Sequence, residues 1–441
     1  MKRIRTLLFC LQVLVLLSSA VRGQAPQMQS PYSKLGLGDY QNDAVLPVKS
    51  MGNLSAVFHD EKQLNAANPA AYAFLKTTVL DVGVSSGRYG LREVPTGLTD
   101  HSTETQFDYF QLGISLVNDY NRELEGRKSD WRFGTGIGIA PYTRVGYEVE
   151  SVADGTQFLF SGTGGTYQIN WNTAAKYKNF SVGIGWNFMR GHIDEKQKNN
   201  FQDTVLGIYN NVFSDAFSVK GQNVRFGLLY DYYFKDSKKE DGRRGDLFSA
   251  GIFVQPGFDM PITATRLATR VSTLTRRVDT LQYEDGARYE TRIPLRWGIG
   301  VGYGFKDLYR LGINYEGADW TDFELPFKKS RFGRAARYAL GYEKQADLKR
   351  FDDFWKRVSL RGGLFYGKDP RFVNGEQITY GGITIGMGIP VILPRQDVSF
   401  FNVGIEAGRN GTRGGLRRTY IKLSLSVSLT DKSWFFKQKY Y

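Results

Sequence analysis

The sequence predicts an all-β chain, a transmembrane antiparallel β-barrel of about 14 strands with an N-terminal hatch or plug segment. Three observations predict it. Strict period-two alternation recurs along the chain, and that period belongs to a strand and not to a helix. One face of each alternating run is apolar while the other is Gly, Ser or polar, which is too small to fill the space between two packed sheets. The strand ends are aromatic, where the girdles of a membrane barrel lie. The composition agrees, with 7 Trp, 26 Tyr, 30 Phe and 50 Gly in 441 residues. At 41% hydrophobic and 23% charged, the chain is too apolar to stay disordered.

The elements follow in order. Residues 1–23 read as a secretory signal peptide: Lys2, Arg3 and Arg5, an apolar run from Leu7 to Leu17, then Val21 and Gly23 before the cleavage point. That run is shorter than the about 20 residues of a membrane helix. Cys10, the single cysteine, leaves with the signal, so disulfides, thiolate catalysis and Cys-based metal sites are excluded from the mature chain. Lys2, Arg3, Arg5 and Arg22 leave with it too, from a chain of net charge +14 and pI near 9.5. Export and the scatter of Lys and Arg argue against nucleic acid as a partner.

Residues 24–76 show no alternation and carry SPYSKLGLGDY, KSMGNLSAVFHD and LNAANPAAYAFL. They are expected to fold back into the lumen as a hatch, because a barrel of 14 strands is too wide to fill with its own side chains. The alternative is a flexible leader. The barrel is expected over 77–430, with a periplasmic tail at 431–441.

Strands are expected near 78–86, 107–117, 131–140, 166–176, 180–190, 222–235, 247–257, 295–305, 308–316, 335–344, 356–367, 379–390, 399–408 and 419–429. The last is the plainest, with Ile421, Leu423, Leu425, Val427 and Leu429 opposite Lys422, Ser424, Ser426 and Ser428. Two runs put glycine rows on the lumen side: Gly134, Gly136 and Gly138, and Gly298, Gly300, Gly302 and Gly304. Such rows mark close backbone approach, seating either the hatch or a long acyl chain, or else they permit sheet curvature. Connections after odd strands are long (87–106, 141–165, 191–221, 258–294, 317–334) and those after even strands are short, as expected of outer loops and periplasmic turns.

In this order, SPYSKLGLGDY, SMGN, NAANPAAY, GTGGTYQINWNTAAKYKNFSVGIGWNF, GMGIPV and SVSLTDKSWFFKQKYY resemble the FadL-type outer-membrane long-chain fatty-acid transporter family, in its Bacteroidota branch. The resemblance covers most of the mature chain. It implies a luminal hatch in which Asn68, Pro69 and Ala70 match the family motif, and passive uptake of a hydrophobic small-molecule ligand with possible sideways exit through the wall. Residues of those types suit the place: Pro69 fixes its backbone, Asn68 can bond neighbouring backbone, and Ala70 allows close approach. An ordinary short helix start reads the same three residues. The resemblance further implies an outer-membrane location, contact with lipids and lipopolysaccharide, insertion by the barrel-insertion machinery on a signal within Ser428–Tyr441, and a monomer. Neither cofactor nor metal is expected.

Two other functions fit the same architecture: a barrel partner of a protein export or surface-attachment machine, and a nonselective porin. Enzymatic activity is not expected. Gly83-Val84-Ser85-Ser86-Gly87 matches a nucleophile elbow, but that motif needs a strand followed at once by a helix. His59, His101 and His192 are isolated, which argues against a metal site. His59-Asp60-Glu61 reads as a protonation sensor or a solvated turn. Arg266, Arg270, Arg276 and Arg277 read as a lipopolysaccharide contact or a solvated hairpin.

Overall fold

The computed structural model describes residues 30–117, 129–153, 155–201, 209–234, 245–306, 308–325, 328, 330–348, 353–392 and 398–431. The signal peptide and the aromatic tail at Trp434–Phe436 lie outside the described residues. Among the described residues seventeen strands occur: β1 (Asp39–Tyr40), β2 (Thr78–Glu93), β3 (Thr99–Ser115), β4 (Trp131–Ala153), β5 (Thr156–Tyr177), β6 (Phe180–Phe201), β7 (Tyr209–Tyr233), β8 (Leu247–Gln255), β9 (Phe258–Ser272), β10 (Val278–Ile293), β11 (Arg296–Phe305), β12 (Tyr309–Asp319), β13 (Arg334–Lys344), β14 (Ser359–Val373), β15 (Glu376–Ile392), β16 (Val398–Gly411) and β17 (Leu416–Asp431).

All but β1 form the wall. β8 and β9 are one crossing interrupted at Pro256-Gly257, since both pair with β7. β10 and β11 are likewise one crossing, interrupted at Pro294. Proline cannot donate to the ladder, so each break falls where the chain supplies one. The result is a closed antiparallel barrel of 14 crossings, with β17 paired to β2 along its whole length, from Leu416↔Glu93 to Asp431↔Thr78.

The outward face of the crossings is apolar, with Ile184, Ile313, Ile385 and Ile421 all at least half exposed. Outward aromatics mark the ends of the apolar stretches, Phe180 and Phe188 on β6 and Phe305 at the end of β11. Only a lipid environment makes such a face stable, because in water it would be a continuous apolar patch. The chain is a membrane β-barrel.

The long connections expected after the early strands need correction. Residues 87–106, 141–165, 191–221 and 258–294 are mostly strand, not loop. β4 to β7 run for 22 to 25 residues, against the about 9–11 needed to cross a membrane. Beyond the membrane these hairpins keep pairing with each other but face water, so their outward residues turn polar and the apolar alternation fades. The barrel rim is therefore high over β4–β10 and low over β12 and β13, whose strands have 11 residues each. One expected strand start also shifts: Phe354–Arg357 is a helical turn capped by Asp353, and β14 begins at Ser359.

Candidate functional site

Residues 30–77 lie inside the wall. Two short helical turns, Pro31–Lys34 and Pro69–Phe74, and a helix at Leu46–Lys49 each begin with Pro in the first turn, where its missing amide costs nothing. Asn68 caps the turn at Pro69–Phe74, its Oδ1 accepting from Ala70 N at 3.1 Å. Its Nδ2 donates to Ala56 O at 2.6 Å and reaches Leu228 O and Ile252 O on the wall at 3.3 and 3.4 Å. Ser181 Oγ on β6 donates to Ala70 O at 2.8 Å. Asn68, Pro69 and Ala70 are fully buried and lie directly against β6 and β7.

Glycines on the inner face receive this segment around the whole circumference. A Cβ at Gly134 on β4 would collide with the Tyr72 carbonyl, and at Gly183 on β6 with the Pro69–Ala70 peptide. At Gly227 on β7 it would meet Asn68 Oδ1, at Gly251 on β8 the Ala56 carbonyl, at Gly341 on β13 the Met51 carbonyl, and at Gly363 on β14 the Met51–Gly52 peptide. Gly404 on β16 faces Leu46, and Gly113 on β3 faces Leu64 and Leu75. Of the two rows singled out by alternation, Gly134 and Gly136 face Tyr72, while Gly300 and Gly302 face Val57. Gly138 and Gly298 are instead opposed by wall side chains, Gln111 and Phe253, and Gly304 by Leu247. Glycines on the other strands were readable by the same inward parity, but no sequence pattern states which of them meets the segment.

Charged anchors fix the segment between these seats. Arg225 on β7, 2% exposed, pairs with Asp43 at 2.7 Å, donates to the Ala66 and Ala67 carbonyls, and reaches Gln255 at 3.1 Å. Arg361 on β14 pairs with Glu343 at 2.9 Å and donates to Gln63 at 3.1 Å. Glu316 on β12 accepts from Asn53, Ser55 and Arg296. Burial by itself would raise the Asp43 carboxyl, but Arg225 and Arg296 overcome it and hold that group below the ordinary carboxylate value. These residues escape a motif search; the signal available was a charge at an inward position of a strand, as in Val224-Arg225-Phe226.

Polar cavities flank the segment. The outer one, about 360 Å³, lies between Tyr40, Lys49 and Asn53 of the segment and β2, β3 and β12–β17. The inner one, about 410 Å³, lies among His59, Lys62, Lys176, Arg310 and Glu343. Above the segment the residues between β12 and β13 cross the mouth: Trp320, Phe323, Leu325 and Phe332 pack with Leu37 against Met189, Ile193, Phe217, Met260 and Ile262 of the high rim.

The wall is thinnest between β3 and β4, which pair only from Phe110↔Ile139 to Ser115↔Gly134. Above that point the edge of β4 is taken by the segment itself: β1 pairs at Thr143 and Arg144, and Gln41 N and Ser30 N donate to Tyr142 O and Gly146 O. The Arg144 guanidinium spans the seam to Gln106, Glu104 and the Phe107 carbonyl.

The other sequence candidates fall as follows. Ser85 sits inside β2, donates to Asp108 at 2.8 Å and accepts from Gln106 at 3.0 Å; no helix follows it. His59 faces Asp231 at 3.1 Å, and exposed His192 faces Asp194 at 3.1 Å. His101 stands opposite Gly90 on the neighbouring strand. Among the described residues no group of His, Cys, Asp and Glu has metal-site geometry. Arg266 and Arg270 lie on β9 over the Tyr289 and Tyr209 rings, in a hairpin and not in an open loop.

A family model described as BamG matches residues 2–441. The chain belongs to the BamG family. No curated protein matches this BamG-family chain. Its fold is shared with solved hydrocarbon channels and transporters. The CymD monoaromatic hydrocarbon channel is 15% identical at a TM-score of 0.53, over 88% of this chain and 98% of its own. The Ralstonia pickettii toluene transporter TbuX is 11% identical at 0.55, over 90% and 99%. A Pseudomonas aeruginosa FadL homologue is 12% identical at 0.54, over 90% and 99%. At these identities the BamG-family chain shares their architecture, and the FadL-type resemblance read from the sequence holds for the fold.

Proposed function

We propose that this outer-membrane barrel works as a closed, non-catalytic partner of an outer-membrane protein export or surface-attachment machine, with its lumen filled by its own residues 30–77. One observation carries the reading: inward glycines around the wall are opposed at van der Waals range by the backbone of that segment, and the buried Arg225–Asp43 pair and the Arg361–Gln63 hydrogen bond bolt the two together. Close-packed contacts of this kind do not slide, because interiors are bistable and not continuously deformable. The flanking cavities are lined by charge, which penalises an apolar solute.

A second reading has its own support. The shared fold with hydrocarbon and toluene channels favours passive uptake of hydrophobic small molecules, of which long-chain fatty acids are the narrower form. On that reading the segment shifts, and the β3–β4 seam behind Arg144 is the place for sideways exit.

Reconstitution into liposomes separates the two. Transfer of a toluene-like fluorescent probe into the vesicle and ion conductance should equal those of empty vesicles for the full-length protein, and rise when residues 30–77 are deleted. Accelerated probe transfer by the intact protein would overturn the closed-barrel reading in favour of uptake.

A further inference from the structure

The outer cavity is more than leftover space. Cations outnumber carboxylates on its lining, and most of them are paired: Arg371 with Asp39 and Asp369, Lys422 with Glu406, Arg296 with Glu316. Arg337 on β13 is different. Among the described residues it has no carboxylate within ion-pair distance. Its Nη2 donates to Gly52 O at 3.1 Å, its guanidinium lies 4.6 Å from the Phe365 ring centroid, and its Nε is buried with no partner. Arg418, which shares Asp39 at 3.7 Å and stacks on Tyr89 at 3.9 Å, also buries an Nε without a partner. Exposed Lys368 stands on the same lining.

We propose that this cavity binds a phosphate-bearing polar ligand, with Arg337 and Arg418 receiving the phosphate and Lys368 guiding it in from the rim. A guanidinium beside an aromatic ring whose Nε–H is left without a partner presents a charged donor that suits a phosphate oxygen. The excess of cations over carboxylates on the lining suits the charge of a phosphomonoester dianion better than that of a single carboxylate. The cavity also offers Tyr40 Oη and Asn410 Oδ1, both buried and unpartnered, to the hydroxyls of a polar remainder. An aliphatic chain in the same place would strip water from these groups and return nothing. The volume, about 360 Å³, lies in the range of small-molecule sites.

The phosphate can arrive on a soluble molecule or on a lipid headgroup of the outer leaflet, since Glu104, Gln106 and Arg144 at the β3–β4 seam line the same cavity. The assignment is independent of whether the lumen conducts. Full-length protein in detergent is titrated calorimetrically with inorganic phosphate and with glucose 1-phosphate, glucose serving as the neutral control. In parallel, nanodisc-embedded protein is offered phosphorylated lipid A and its dephosphorylated counterpart, and retained lipid is read by native mass spectrometry. Preference for the phosphorylated member in either arm supports the site and names the source. Arg337→Gln should then lower affinity roughly tenfold, and exposed Lys368→Gln by a smaller factor that shrinks further at high salt. If Arg337→Gln does not fold, Arg337→Lys keeps the charge and removes only the fork, and should still weaken binding. No preference for phosphate in either arm, or unchanged affinity in both Arg337 variants, overturns the proposal.

Discussion

The two sides of the lumen are built from different materials. Over β4–β10 the inner face above the segment is apolar: Tyr147, Met189, Ile193, Phe217, Met260 and Ile262 close on Leu37, Trp320, Phe323 and Phe332. Over β12–β17 and β2 the inner face is ionic, and the outer cavity lies there. An apolar surface minimises its area and packs shut. An ionic surface stops where each charge has its partners, and the space that remains stays wet. The first side holds the mouth closed, and the second leaves chemistry exposed inside a membrane protein.

The comparison can be broken from either side. Arg225→Met leaves Asp43 buried without its cation, at a cost of about 3–5 kcal/mol; the segment should become accessible to protease, and adding Asp43→Asn should restore much of the loss. If the single variant keeps the segment protected, the ionic side is not what anchors it. On the apolar side Phe217→Ala should cost about 3–5 kcal/mol through the cavity it opens, seen as a lower unfolding temperature in detergent while the segment below stays protease-resistant. Loss of protection in that variant would mean that the two sides act as one unit.

Gly134→Val drives a side chain into the Tyr72 carbonyl and should cost about 1–3 kcal/mol, releasing the turn at Pro69–Phe74 from β4. Gly97→Val, at a loop tip with nothing within 4 Å, tests the same change without the close approach; its positive φ of 72° adds only local strain. Asn68→Ala removes the cap and should cost about 1–2 kcal/mol. The smallest effect is that of pH. The Asp43 carboxyl is held low in the folded chain, so its contribution is fully present above the ordinary carboxylate value near 3.9 and is lost as pH falls through the lower folded value. Protease protection of the segment should be flat between about pH 8 and 5 and fall only in stronger acid. Asp43→Asn should flatten that fall.

How much of this was legible follows from the physics of each face. Lipid tolerates only apolar side chains, so Ile421, Leu423, Leu425 and Val427 announce an outward face without any neighbour being known. Every one of the 14 crossings could be found this way. The rim beyond the membrane was missed because the lipid constraint ends there; residues 191–221 look like loop, although Met189↔Gly221 to Asn199↔Asn211 pair in register.

The sequence by itself determined a membrane barrel, its strand number and the inward parity of its glycines, because those depend on period and on one uniform solvent. Only the tertiary structure decided that Gly183 meets Ala70, that Arg225 meets Asp43, that β1 takes the edge β3 leaves, and that Arg337 lacks a carboxylate. Each of those joins residues more than a hundred positions apart, or records a partner that is missing. No local pattern carries that information, because the lumen is shared among all crossings at once and its partners are set by closure of the sheet.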